Sequence, residues 1–189
     1  MTRPSATEVI LLCEDQRHEQ FCRRFLLERG VSARRIRACI APAGRGDAKQ
    51  WVIDRYPQEL RAYRSKANRI NNALIVMTDL DQQKIGQRRQ TLQIACQAVD
   101  VADVAPGERI LIALPKWAIE TWILTLVGQT VAEDERIQPT HKQRAAGQIR
   151  VAAKLLATLC ASRQGGQIPE TLSALHDTCS QFHGLRETL

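Results

Sequence analysis

Ala73-Leu74-Ile75-Val76-Met77-Thr78-Asp79-Leu80-Asp81 decides the fold: five apolar residues in a row, a threonine, and then two acids one residue apart. A short continuous apolar run is the pattern of a strand buried on both faces of a parallel sheet, and the acids fall where that strand ends. An earlier run, Val9-Ile10-Leu11-Leu12-Cys13, repeats the arrangement and stops at Glu14. Open α/β sheets carry their sites at the carboxyl ends of strands, so Glu14, Asp79 and Asp81 are expected to meet at one sheet edge. Alternate residues after a strand point to the same side, which lets Asp79 and Asp81 face one ion while Leu80 packs away. Hard divalent cations such as Mg²⁺ or Mn²⁺ suit such a site, taking a few carboxylates and completing their shell with waters and substrate phosphates.

Working outward, the first strand, about Glu8 to Cys13, feeds a helix whose Phe21, Cys22, Phe25 and Leu26 recur at helical spacing before Gly30 closes it. A second strand fits Arg35 to Ile40, and the loop from Ala41 to Asp47 breaks regular structure with its proline and glycines. Lys49 to Lys66 reads as helix, with Pro57 as an interruption that divides it. After the third strand, Gln82 to Val99 reads as helix with Arg88 and Arg89 on its wet side, and Pro106-Gly107 marks a turn. Ile110 to Leu114 is the fourth strand, and Pro115 ends it before a helix carrying Trp117, Glu120 and Trp122. Strands alternating with helices predict an α/β fold, a mostly parallel four-stranded sheet flanked by helices. From Val127 onward only helical patterns remain: one amphipathic helix from His141 to Ala161, a loop from Ser162 to Gln167, and a last short helix begun by Pro169. Residues 1–126 therefore form the expected catalytic domain, and residues 127–189 a helical extension packed on it.

The chain has 189 residues, 44% hydrophobic and 25% charged, which excludes disordered and fibrous classes and suits one domain with a sizeable core. Residues Met1 to Thr7 alone look loose. Lysine and arginine outnumber the acids by 27 to 20, with the excess mainly in arginine, whose fork matches phosphate oxygens. Nucleic acid or a nucleotide is the natural partner, a solvated basic surface the plain alternative. The candidate contacts are Arg45, Arg88, Arg89, Lys142, Arg150 and Lys154. Six scattered cysteines lack zinc-site spacing, and Cys13, Cys39 and Cys96 lie in apolar stretches as small buried hydrophobes. With no signal-like or membrane-spanning segment, the expectation is a soluble cytoplasmic protein without a membrane partner.

Among the remaining acids, Asp15 suits the positive end of a helix dipole, and Glu19 suits either that role or a second metal ion. Glu120, flanked by apolar residues and two tryptophans, needs a cation partner, either as a further metal ligand or through an arginine. Trp117 and Trp122 read as core. His18, His141, His176 and His183 show no ligand or nucleophile spacing and read as neutral surface residues. Gly44-Arg45-Gly46 lacks the rest of a phosphate-cradling loop, which argues against ATP hydrolysis by this chain.

The chain resembles a Toprim-type catalytic domain in its Leu11-Leu12-Cys13-Glu14 and its Val76-Met77-Thr78-Asp79-Leu80-Asp81. More narrowly, it is similar to small bacterial Toprim-like proteins related to the overcoming-lysogenization-defect (OLD) nucleases. Pro115-Lys116-Trp117-Ala118-Ile119-Glu120-Thr121-Trp122 matches that family's segment after the fourth strand, and Cys179-Ser180-Gln181-Phe182 its tail. It departs from the pattern where Asp15 replaces a glycine, where an acid is displaced to Glu19, and where Gln83 stands in place of a third aspartate. The resemblance implies a Mg²⁺- or Mn²⁺-dependent nuclease acting on DNA or RNA. Glu14, Asp79 and Asp81 would bind metal with Glu120 and Glu19 assisting, and Lys116 would stabilise transition-state charge. It further implies a separate ABC- or AAA-type ATPase partner and a role in phage defence; a second copy of the chain, in a homo-oligomer, is a further candidate partner, one that the residues themselves do not specify. The competing expectations are a catalytically weak nucleic-acid-binding or regulatory subunit, and a nucleotidyl or phosphoryl transferase using the same metals.

Overall fold

The apolar runs form strands that lie side by side because their side chains are apolar on both faces over most of their length, Arg37 of the edge strand being exposed. In the computed structural model, which describes residues 7–44, 46–160, 168 and 172–186, they are β1 (Glu8–Cys13), β2 (Ile36–Ile40), β3 (Asn72–Met77) and β4 (Ile110–Ala113). All pairings are parallel, and the order across the sheet is β2-β1-β3-β4. The helices are α1 (Gln16–Glu28), α2 (Ala48–Ala67), α3 (Ile85–Gln97), α4 (Ile119–Leu126), α5 (Pro139–Ala146), α6 (Ile149–Leu159) and α7 (Ser173–Arg186). The fold is thus α/β, as the alternation of apolar patterns predicts. Arg45, the segment 162–167 and Pro169 lie outside the described residues, as do residues 1–6.

Successive strand residues point to opposite faces and build two cores. Val9, Leu11, Cys13, Ile75 and Met77 meet Phe21, Phe25, Trp122, Leu156 and Phe182 on one face. Ile10, Leu12, Leu74 and Val76 meet Val52, Tyr56, Leu60 and Leu92 from α2 and α3 on the other. Each fully buried large side chain contributes about 2–3 kcal/mol of transfer free energy, so both faces are required. The helices after residue 127 share the first core, where Phe182 meets the Phe25 ring edge-on at 4.7 Å. There the free thiols of Cys160 and Cys179 also come together, with Sγ atoms 2.8 Å apart.

Several local expectations change. Helix α2 runs unbroken through Pro57, because Pro57 is buried with Val52, Ile53, Tyr56 and Leu60 and that packing outweighs the lost backbone bond. The single helix expected over 141–161 is two helices, α5 and α6, parted at Gly147. Thr7 is buried and accepts a hydrogen bond from Asn71 at 2.6 Å, so the chain is anchored there. Cys39 is half-buried, since β2 is an edge strand. The other edge strand, β4, is covered by α7: the Gln181 amide donates to the Ile112 carbonyl and accepts from the Ile112 amide, both at 3.0 Å. A side chain thereby fills the place of a fifth strand. Among the described residues no helix is long and apolar enough to cross a membrane.

Candidate active site at the carboxyl edge of β1 and β3

The strand order reverses between β1 and β3: the chain leaves β1 for β2 on one side, then crosses to β3 and β4 on the other. Such a switch point opens a crevice at the carboxyl ends of the two strands. Register brings those ends level, with Cys13 opposite Met77 and Met77 opposite Ala113, so Glu14 and Thr78 leave the sheet side by side. Glu14 Oε2 accepts from the Thr78 hydroxyl at 2.8 Å and from the Asp79 amide at 3.0 Å, which ties the two strand ends together. Its other oxygen, Oε1, lies 3.8 Å from Lys49 Nζ.

Lys49 stands in the first turn of α2, whose N-terminus is fixed by Asp47 accepting from the Lys49 amide at 2.9 Å. Its ammonium forms an ion pair with Asp81. Asp81 adopts a positive φ of 52°, a conformation aspartate tolerates better than most residues, and the turn swings its carboxylate toward α2. Leu80 packs away as expected, 1% exposed, and its amide donates to the Pro115 carbonyl at 2.7 Å. Burial lowers the Lys49 proton affinity, but the Asp81 contact and the Glu14 charge reverse this and hold the amine above its usual range.

His18 is where the expected surface residue gives way to a buried one. It is 1% exposed, with Nδ1 2.8 Å from Asp15 Oδ1 and Nε2 2.9 Å from Asp79 Oδ1. Asp15 also caps α1, accepting from the amides of Arg17 at 2.8 Å and His18 at 2.9 Å. Burial alone would strip the imidazole of its proton, but the Asp79 charge and the two hydrogen bonds push its affinity well above the ordinary histidine value. Desolvation pushes Asp15 up, yet the bonds from His18 and Arg17 hold its carboxyl well below the usual range. The signal available in sequence was the Asp15-x-x-His18 spacing at a helix start, which places both side chains over one turn.

The remaining acids divide by environment. Burial and then the Asp79 charge raise Glu14 above an ordinary carboxyl. Burial raises Asp79 too, with Asp15 and Glu120 adding to the effect and His18 opposing it. Glu120, 4% exposed, takes the arginine alternative through an ion pair with Arg17. Glu19 pairs with Arg23, one turn along α1, and lines neither cleft beside the acids. Lys116 turns to Asp134 and to Glu133, 3.7 Å away, so the cation beside the acids is Lys49. Trp122 is core, whereas Trp117 is half-buried, lines the cleft and donates from Nε1 to the Asp134 carbonyl at 2.8 Å.

Two clefts, of about 860 and 730 Å³, open on this edge, and Glu14, Asp15 and Lys142 line both. Lys49, Arg88 and Arg136 line the larger. Arg88, expected on the wet face of its helix, is instead 5% exposed because α3 lays it beneath the acid turn. Arg89 is tied to Asp177 at 2.7 Å, and Arg150 and Lys154 are exposed on α6 and line neither cleft. Among the described residues no group of three or more His, Cys, Asp and Glu side chains stands ready to enclose a metal ion. Mg²⁺ needs less than that, one or two carboxylates with waters and phosphate oxygens. The adjacent Glu14 and Asp79 fit it: both are hard oxygen donors lining a polar cleft, and burial makes both hold protons more tightly than ordinary carboxyls, with the Asp79 charge adding to the effect at Glu14. Comparison with protein-family models, with curated proteins and with solved structures finds no match to this chain.

Proposed function

We propose that this chain is a Mg²⁺- or Mn²⁺-dependent nuclease of Toprim-like, OLD-related type, acting on phosphodiester bonds in DNA or RNA. The observation that carries the reading is the half-buried Glu14–Asp79 pair at the β1–β3 switch point, opening on a cleft that also presents basic side chains. Glu14 and Asp79 would hold the cation, with Asp81 completing the acid cluster. When bound, the cation supplies Lewis-acid activation of water and charge neutralisation at the scissile phosphate.

The chain's own groups have separate tasks. Thr78 and the Asp79 amide fix Glu14, so its free oxygen is held toward the cleft without reorganisation. Lys49 takes the part expected of Lys116: it restrains Asp81 in the resting site and offers a cation to developing phosphate charge. Lys142, at the junction of the two clefts, is placed to meet a nucleic-acid backbone on either side of the acids. By the same resemblance we propose an ATPase-gated role in phage defence, and from the scattered unpaired cysteines a cytoplasmic location.

A metal-titrated cleavage assay tests the reading, using labelled single- and double-stranded DNA and RNA with wild type, Glu14→Ala and Asp79→Ala, each with and without the ATPase. Cleavage that requires Mg²⁺ or Mn²⁺ and disappears in both variants is the expected result. No cleavage by folded wild type under any of these conditions overturns the reading. The regulatory-subunit alternative has one observation in its favour, the prior neutralisation of Asp81 by Lys49 and Glu120 by Arg17. It predicts nucleic-acid binding without turnover in the same experiment.

A further inference from the structure

We infer that Arg88, with Arg136 and Lys142, forms a phosphate-binding subsite that works without metal. Arg88 is a guanidinium 5% exposed in the wall of the larger cleft, and among the described residues it meets no carboxylate. Its one hydrogen bond there runs from Nη2 to the Asp79 carbonyl at 3.3 Å, and its Nε is buried without a partner. A buried charge without a counterion costs several kcal/mol, so a side chain held this way is matched to an anion that arrives later. Arg24 and Arg29 also have buried Nε atoms without partners, but each has another compensation. Arg24 pairs with Glu28 at 3.1 Å, and Arg29 lies over the Phe182 ring at 5.6 Å. Arg88 has neither.

The surroundings name the ligand. Arg136 and Lys142 line the same cleft, both exposed, and neither is ion-paired to an acid among the described residues. Lys49 is already engaged by Asp81 and Glu14. Three free cations around one cavity, one of them a fixed planar fork, suit the tetrahedral oxygens of a phosphate rather than a single carboxylate. The phosphate would sit beside Asp79 through Arg88, one residue removed from the acids rather than on them. This inference rests on the nuclease reading only for the source of the phosphate; the binding stands on the cleft itself.

The test is calorimetric titration in chelator-containing, low-salt buffer with inorganic phosphate, a nucleoside monophosphate and a short single-stranded oligonucleotide. Wild type is expected to bind phosphate, with Arg88→Gln about tenfold weaker, the loss of roughly one charge-assisted hydrogen bond. The exposed double variant Arg136→Ala/Lys142→Ala is expected to weaken binding by a similar factor, and it decides the matter should Arg88→Gln not fold. Lys66→Ala, the same single charge change as Arg88→Gln but outside the cleft, leaves the affinity unaltered. An oligonucleotide preference of tenfold or more marks a polymer backbone as the source, and equal affinity marks a free nucleotide. Absence of phosphate binding by wild type, or equal binding by the Arg136→Ala/Lys142→Ala variant, overturns the inference. Loss of cleavage with phosphate binding intact counts against the nuclease reading alone.

Discussion

His18 Nε2 lies 2.9 Å from Asp79 Oδ1, so the acid that closes β3 is held by an imidazole that α1 delivers from behind β1. With Asp15 on the other ring nitrogen, the histidine spans the switch point and fixes one carboxylate of the candidate site from below. Removing a partner from a buried charged network costs about 3–5 kcal/mol, which sets the scale for the first prediction.

His18→Gln is expected to lower unfolding free energy by about 3 kcal/mol at pH 6, measured by urea denaturation of metal-free protein. The folded histidine binds its proton more tightly than the unfolded one. Its contribution is therefore complete below the unfolded value, about pH 6.5, and is lost as pH rises through the folded value. The gap between wild type and variant should narrow steadily from pH 6 toward pH 9; a gap that widens over this range contradicts the assignment. Asp15 has the opposite sign: its folded carboxyl is depressed, so its share is present at neutral pH and lost on acidification.

Glu14→Gln is expected to stabilise the metal-free protein at pH 7 by roughly 1 kcal/mol while abolishing cleavage, the trade-off found where a site is electrostatically strained. The raised affinity of Glu14 for a proton means the ionised form is disfavoured in the fold. The stability difference should vanish below about pH 4, where the unfolded carboxyl is protonated too. Glutamine keeps an oxygen for Thr78 and the Asp79 amide, so those contacts survive. Thermal denaturation across pH checks it.

Mg²⁺ should stabilise wild type against heat, by about 2.7 kcal/mol at a hundredfold excess over its dissociation constant, and should leave Asp79→Asn unchanged. Differential scanning calorimetry with and without the metal measures this directly. A shift of equal size in both proteins places the cation elsewhere.

Lys49→Ala is expected to change stability by no more than about 1 kcal/mol, because its ion pairs are partly exposed. Cleavage should fall by about a hundredfold, the scale of one lost transition-state contact. Lys116→Ala, whose amine is held by Asp134 and Glu133, should reduce the rate at least tenfold less. Initial rates with a labelled oligonucleotide compare the two.

Gln181→Ala opens the edge of β4. Losing two bonds to the Ile112 backbone should cost about 1–2 kcal/mol and leave an unpaired strand edge prone to self-association. Chemical denaturation and light scattering at rising concentration report the two effects.

Strands β1, β3 and β4 were legible in the chain because each carries a continuous apolar run, a local pattern that burial in a parallel sheet demands, whereas the edge strand β2 is interrupted by Arg37. The place of Glu14 and Asp79 followed from the same runs, since the acids mark where each strand leaves the core. Partner choice was not legible. Arg17 reaching Glu120, Lys49 reaching Asp81 and His18 reaching Asp79 join residues 103, 32 and 61 positions apart, and nothing local encodes which charges will meet. Helix continuity at Pro57 and the inward turn of Arg88 were decided the same way, by packing that outweighs a residue's own preference. The sequence by itself determined that acids would crown a parallel sheet. Only the tertiary structure decided which are held side by side, which are already ion-paired, and which buried arginine meets no carboxylate among the described residues, because charge pairing in a folded protein depends on distance through space.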